Sequence, residues 1–124
     1  MTPIRVLLVE DEFLIRMLVA EVLRDEGFEV IEAEDGSQAV TVIDGPDGFD
    51  LLLTDVQIPG PIDGIQVAAR ARQRDPRIPV IVVSARPDSA QRLDELALRS
   101  VFVAKPYDLY ALVQTIRRAL ETRI

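Results

Sequence analysis

Unbroken apolar runs alternate along this chain with longer stretches whose apolar residues recur every three or four positions. The runs lie at residues 4–9, 28–33, 51–55, 78–84 and 101–104, and charged or turn-forming residues bound each of them. A short continuous apolar run suits a strand covered on both faces, which is how parallel sheets are buried. The run at 28–33 keeps partial alternation through Glu29 and Glu32, which places it at or near an edge of the sheet.

The intervening stretches read as helices. Ile15, Leu18, Val19 and Val22 hold the spacing of one helix face, predicting a helix from Glu12 to about Gly27 with Arg16, Glu21, Arg24 and Asp25 off that face. Gly27 is its natural stop. Ser37 is the expected cap of a short helix carrying Ala39, Val42 and Ile43 and ending near Gly45-Pro46. Asp63 with Gln66 three residues later has the pattern of a capping box, opening a helix to about Asp75-Pro76. On it, Ala68 and Ala69 pack on the sheet while Arg70, Arg72 and Arg74 face water. A less regular helix is expected from Ser89 to Leu98, with Leu93, Leu96, Ala97 and Leu98 as its few apolar residues. Leu109, Leu112, Val113, Ile116 and Leu120 form the stripe of a last helix capped by Asp108.

Five strands alternating with five helices predict a doubly wound α/β domain, because right-handed crossovers cover both faces of a parallel sheet. In the flavodoxin-like strand order 2-1-3-4-5, the topological switch falls between strands 1 and 3, and ligands bind at the carboxyl ends of the strands there. At 124 residues the chain makes one domain, 1–124.

Composition narrows the chemistry. With 14 basic and 21 acidic side chains the net charge is −7, which repels phosphate backbones and argues against direct nucleic-acid binding, with the arginines between Arg70 and Arg77 a local exception. The chain has neither cysteine nor histidine, which excludes disulfides, thiolate chemistry, His-based triads and imidazole zinc sites. No apolar run is long enough for a bilayer and no signal-peptide pattern opens the chain, so a cytoplasmic location without membrane contact is expected.

Strand 1 ends in Glu10-Asp11-Glu12 and strand 3 ends in Asp55. Neighbouring strands lie about 4.8 Å apart, so Glu10, Asp11 and Asp55 converge. Carboxylates that close raise each other's proton affinity unless a cation sits among them, and an all-oxygen set suits a hard ion such as Mg2+. Strand 4 ends in Ser84, and strand 5 ends at Lys105-Pro106. Each residue alone has a plain structural role: the acidic pair can favour a helix start, Asp55 can sit in a turn, Lys105 can be solvated and Phe102 can be core. Their coincidence at one end of the sheet points instead to an aspartyl nucleophile with a metal, an ammonium and a hydroxyl to offset phosphoryl charge.

These residues resemble the receiver domain of two-component response regulators over essentially the whole chain. The resemblance is carried by Val9-Glu10-Asp11-Glu12, by Thr54-Asp55 with Pro59 and Asp63-Gly64, by Ser84-Ala85, and by Phe102-Val103-Ala104-Lys105-Pro106-Tyr107. It implies that Asp55 is the phosphoacceptor and that Glu10, Asp11, Asp55 and the backbone carbonyl of Gln57 bind Mg2+. It implies further that Ser84 and Lys105 contact the aspartyl phosphate, that Phe102 is an aromatic switch and that the Lys105-Pro106 bond is cis. The implied partners are a sensor histidine kinase or histidine phosphotransfer protein and a downstream protein target. The face of helix 4, strand 5 and helix 5 would be remodelled and could pair two copies as a homodimer. With no effector domain after Ile124, a single-domain regulator is expected. Gln57 and Arg86 would flank the pocket and tune phosphate hydrolysis.

Three features depart from the usual receiver pattern. The loop from Asp55 to Asp63-Gly64 is one residue longer, glycines are missing around the end of helix 4, and no output domain follows. An interaction module of the same fold that is not phosphorylated is the alternative. A haloacid-dehalogenase-like phosphatase fits less well, because Gln57 stands where that family has its second aspartate.

Overall fold

The computed structural model describes residues 2–95 and 99–122. Five parallel strands form one sheet in the order β2-β1-β3-β4-β5: β1 (Arg5–Val9), β2 (Glu29–Ala33), β3 (Leu51–Asp55), β4 (Val80–Ser84) and β5 (Val101–Ala104). The helices are α1 (Phe13–Asp25), α2 (Gly36–Asp44), α3 (Gly64–Arg74), α4 (Asp88–Glu95) and α5 (Leu109–Glu121). The predicted flavodoxin-like order is therefore the observed one.

Successive strand residues point to opposite faces, and both faces are apolar. Leu7, Val9, Leu52, Val80 and Val82 join Ile43, Ile65, Ala68, Ala71 and Leu93 in a core on the α2, α3 and α4 side. Leu8, Leu51, Leu53, Ile81 and Val83 join Val19, Leu23, Leu112, Val113 and Ile116 on the α1 and α5 side. β3 and β4 are buried at every position, whereas the edge strands β2 and β5 are covered only in part.

Register delivers the chemistry. Val9 pairs with Thr54, Asp55 with Val83 and Ser84 with Ala104, so Glu10, Asp55, Ser84 and Lys105 leave the sheet at one level. The backbone hydrogen bonds from Val56 N–H to Val83 O and from Lys105 N–H to Ser84 O, both 3.0 Å, carry that alignment past the strand ends.

The helix boundaries follow local signals with some corrections. Gly27 ends α1 with φ +94°, and Asp63 and Gln66 close the expected capping box on α3. α2 is capped by Asp35 rather than Ser37: the Asp35 carboxylate accepts from Gln38 N–H at 2.8 Å, and the helix starts at Gly36. Both residue types cap well, and the extended backbone of Asp35 decides between them.

The buried stripe of α1 is rotated from the predicted one. Arg16, Val19, Ala20 and Leu23 are buried, whereas Leu18 is half exposed. The helix leans on β2 and α5, and the Arg16 guanidinium finds partners beneath it that periodicity cannot register. On α3, Arg70 reaches solvent as expected. Arg72 donates to Ile78 O and Arg99 O, and Arg74 to Ile43 O and Gly45 O, so these two tie the helix to neighbouring backbone. The expected helix from Ser89 to Leu98 begins one residue earlier, at Asp88, and its last part, Leu96, Ala97 and Leu98, lies outside the described residues.

Candidate functional site

Glu10 and Asp55 are both about 5% exposed, and Asp11 stands in solvent beside them. One carboxylate oxygen from each of the three lies within 4.8 Å of the others. Asp55 ends a strand whose every residue is buried, so its side chain is held by the sheet rather than by a loop.

The loop after Asp55 turns back tightly. Gly64 opens α3 directly under the carbonyl of Asp55, where a Cβ would stand 1.9 Å from that oxygen, so only glycine permits the approach. Gly60, at φ +93°, supplies the left-handed turn that the extra residue of this loop requires.

Lys105 reaches in from β5. Its Nζ is 2.5 Å from Asp55 Oδ2 and 4.0 Å from Glu10 Oε1. Burial works against the ammonium, but the hydrogen bond and charge of Asp55, together with the charge of Glu10, outweigh it and raise the Lys105 pKa. The predicted cis bond between Lys105 and Pro106 is present.

Glu10 is the most perturbed acid of the group, raised from 4.5 to about 7. Burial is the main cause, and the Glu12 N–H that donates to its carboxylate opposes it. The charge of Asp55 and a hydrogen bond with Asp11 push further upward, while Lys105 pulls back. Three carboxylates with only one ammonium among them are undercompensated. The set fits a hard divalent cation, which would supply the missing positive charge through oxygen ligands alone.

Ser84 is fully buried, with its hydroxyl at the centre of a small network. It donates to Gln57 Oε1 at 2.9 Å, accepts from Arg86 N–H at 3.0 Å and sits 3.0 Å from the hydroxyl of Ser89. Gln57 therefore acts twice, since its N–H also donates to Asp55 Oδ1 at 3.3 Å. Phe102 is half-buried and packs on the α2, α3 and α4 side of the sheet, paired in register with Val82.

Sequence reasoning missed three contributors. Arg16 donates from Nη1 to Glu10 O at 2.8 Å and from Nε to Glu32 Oε1 at 3.3 Å, clamping the end of β1 to β2. Nothing local in the sequence marks it. Ser89 is buried as the partner of Ser84, and its place one residue into α4 was the available clue. Tyr107 lines the carboxylate pocket with Glu10 and Asp55, and its pKa is raised by burial and then by the charge of Glu10. Its place directly after Lys105-Pro106 was the signal.

Comparison with known proteins agrees with the fold. The model of the response regulator receiver domain family matches residues 6–117. Sporulation initiation phosphotransferase F of Bacillus subtilis is 34% identical over 118 residues, covering 94% of this chain and 93% of that protein. The uncharacterized transcriptional regulatory protein YbdJ of the same organism is 37% identical over 94% of this chain and 51% of its own length. Among solved structures, a response regulator receiver protein from Sinorhizobium medicae superposes with a TM-score of 0.91 at 27% identity, covering 98% of both chains. The chain spans about half the length of several of these curated relatives.

Proposed function

This chain belongs to the response regulator receiver domains, and from that premise we propose that Asp55 is its phosphoacceptor in a two-component phosphorelay. The observation that carries this reading is the Asp55–Lys105 pair inside a pocket whose other walls are Glu10 and Asp11. An aspartate buried on a strand end, beside a cation and two further acids, fits nucleophilic chemistry better than structural pairing.

The donor would be a phosphohistidine on a kinase or phosphotransfer protein, because this chain has no histidine. An Asp55 carboxylate oxygen attacks phosphorus, the donor's P–N bond breaks, and the imidazole leaves as the acyl phosphate forms. Glu10, Asp11, Asp55 and the Gln57 carbonyl would hold Mg2+, which when bound offsets charge on the carboxylates and phosphoryl oxygens.

Lys105 then holds charge at the Asp55 oxygen it already touches, and the Ser84 hydroxyl would leave Gln57 to donate to a new oxyanion. Phosphorylation adds about −1.5 to −2 charge and three acceptors. Pulling Ser84 away from Gln57 and Ser89 loosens the start of α4 and opens space for Phe102 to turn. That would re-shape the α4–β5–α5 face for a downstream target or a second copy, and requires a bias of only a few kcal/mol between two states.

For the donor, the exposed apolar residues at the start of α1 are the nearest docking surface. Phe13, Leu14, Met17 and Leu18 are 46–71% exposed, and Phe13 stands two residues after Asp11. A contiguous apolar patch beside a charged pocket suits a transient protein partner. Among the described residues no helix is long and apolar enough to cross a membrane. A cytoplasmic receiver domain is the form proposed.

Incubation with Mg2+ and a small acyl phosphate should add one phosphoryl group by intact-mass analysis, removable by hydroxylamine as an acyl phosphate is. Asp55→Asn should abolish it. If labelling persists in that variant the acceptor is another residue, and if the native chain takes none while binding Mg2+, the unphosphorylated interaction module is the better reading.

A further inference from the structure

A concavity lies at the end of the sheet opposite Asp55. It is a cleft of about 500 Å³ between the end of α3, the start of β4, the segment before β5 and the end of α5. Three guanidiniums line it, from Arg72, Arg77 and Arg99, against walls that include Pro76, Pro79 and Ala119.

Two bland explanations account for only part of this. Cations gather at helix C-termini to complement the dipole, and Arg72 is in the last turn of α3. It is also spent structurally, on Ile78 O and Arg99 O. Arg77 and Arg99 lie outside every helix, and neither forms an ion pair with a carboxylate among the described residues. Asp75 is the nearby acid, and its carboxylate accepts from Arg77 N–H at 3.1 Å. Its charge also acts on Arg72, whose pKa is nonetheless lowered, first by burial and then by the charge of Arg99. At the same place the Ser100 hydroxyl is buried with no hydrogen-bond partner. Three arginines around one cleft stand out in a chain of net charge −7.

We infer that this cleft binds a small organic phosphate, with the phosphate gripped by Arg77 and Arg99 and a compact body resting on the proline and alanine walls. Guanidinium forks match phosphate oxygens two at a time. The volume is that of a small-molecule pocket. Nucleic acid is disfavoured because a long polyanion would extend from the cleft over an acidic surface, whereas a mononucleotide-sized dianion would not.

The site is independent of the chemistry at Asp55. Its ligand would bridge α3, β4 and β5, and so would contact the two strands that carry Ser84 and Lys105 at their far ends.

The test is titration with inorganic phosphate, AMP and adenosine, followed by amide NMR shifts at low salt with EDTA present, so that the metal-free carboxylate pocket repels anions. AMP should bind saturably and more tightly than inorganic phosphate, adenosine should not bind, and the shifts should centre on residues 76–80 and 99–101. Arg77→Gln and Arg99→Gln should each weaken AMP binding about tenfold or more, as expected for loss of a charge-assisted pair. Arg77→Lys, which keeps the charge and loses the fork, should fall between. No saturable binding of AMP or phosphate, equal binding of adenosine, shifts centred on the Asp55 pocket, or unchanged affinity in both glutamine variants would each overturn the inference.

Discussion

At the carboxyl ends of β1, β3 and β5 one ammonium sits among three carboxylates and is bonded to one of them. At the amino ends of β4 and β5 three arginines line one cleft, and Arg72 is tied to the Ile78 and Arg99 carbonyls. The same strands thus separate acid from base along their length. Topology explains the direction: in a β–α–β chain every helix starts at the carboxyl end of the sheet and finishes at the other. The positive helix ends therefore face the carboxylates and the negative ends face the arginines.

What differs between the two ends is burial. The acidic end is built from buried groups on strand termini, whose orientation the sheet imposes. Three of its residues, Glu10, Asp55 and Ser84, are at most 5% exposed. The basic end is built from longer side chains, Arg72 on α3 and the exposed Arg77 and Arg99 on loops, and among the described residues neither Arg77 nor Arg99 forms an ion pair with a carboxylate. Charge that is buried and oriented by the sheet supports reaction, and charge on exposed side chains supports recognition.

The largest effect should come from the backbone under the acidic end. Gly64→Ala drives a methyl into the Asp55 carbonyl, and should cost about 3 kcal/mol or more in urea unfolding, with Mg2+ binding lost through displacement of Asp55. Survival of native stability and Mg2+ affinity would show that the loop yields without the site.

Lys105→Met leaves Asp55 buried without its cation. Metal-free stability at neutral pH should fall by about 1–3 kcal/mol, the cost of an unsatisfied buried polar group, and Mg2+ should recover part of it because the metal then faces less positive charge.

Glu10 gives the acidic end a pH signature. Its folded pKa is raised, from 4.5 to about 7, so between those values the folded state binds more protons than the unfolded chain. Metal-free stability should therefore fall as pH rises through that window. Mg2+ needs the ionised form, and its affinity should drop about tenfold for each unit below pH 7. Glu10→Gln should flatten both profiles.

The smallest effect belongs to the other end. Arg99→Gln removes a charge that repels Arg72 and has no partner, so thermal melting should change by no more than the equivalent of about 0.5 kcal/mol, towards higher stability. A clear loss would mean that Arg99 is structural and that the two ends are held in the same way.

Much of this was written locally. Apolar runs at 4–9, 51–55 and 78–84 had to be buried strands, and their lengths set the level at which Glu10, Asp55 and Ser84 emerge. Gly27, the Asp63–Gln66 box and Asp108 marked helix ends through interactions within a few residues, which is why they were legible. Asp35 against Ser37 was a choice between two good caps, settled only by backbone conformation.

Arg16, the Gln57–Ser84–Ser89 network and the arginine cleft were not legible, because each is completed between separate elements, at a distance of about 3 Å or across one cavity. Periodicity reports which face of an element is apolar; it cannot report that a guanidinium on the polar side of α1 lies over the end of β1 and beside β2. The sequence determined which residues would stand at the ends of the strands. Tertiary packing alone decided which of their charges would find partners, since pairing is set by distance in space and by the water left between groups, neither of which is encoded along the chain.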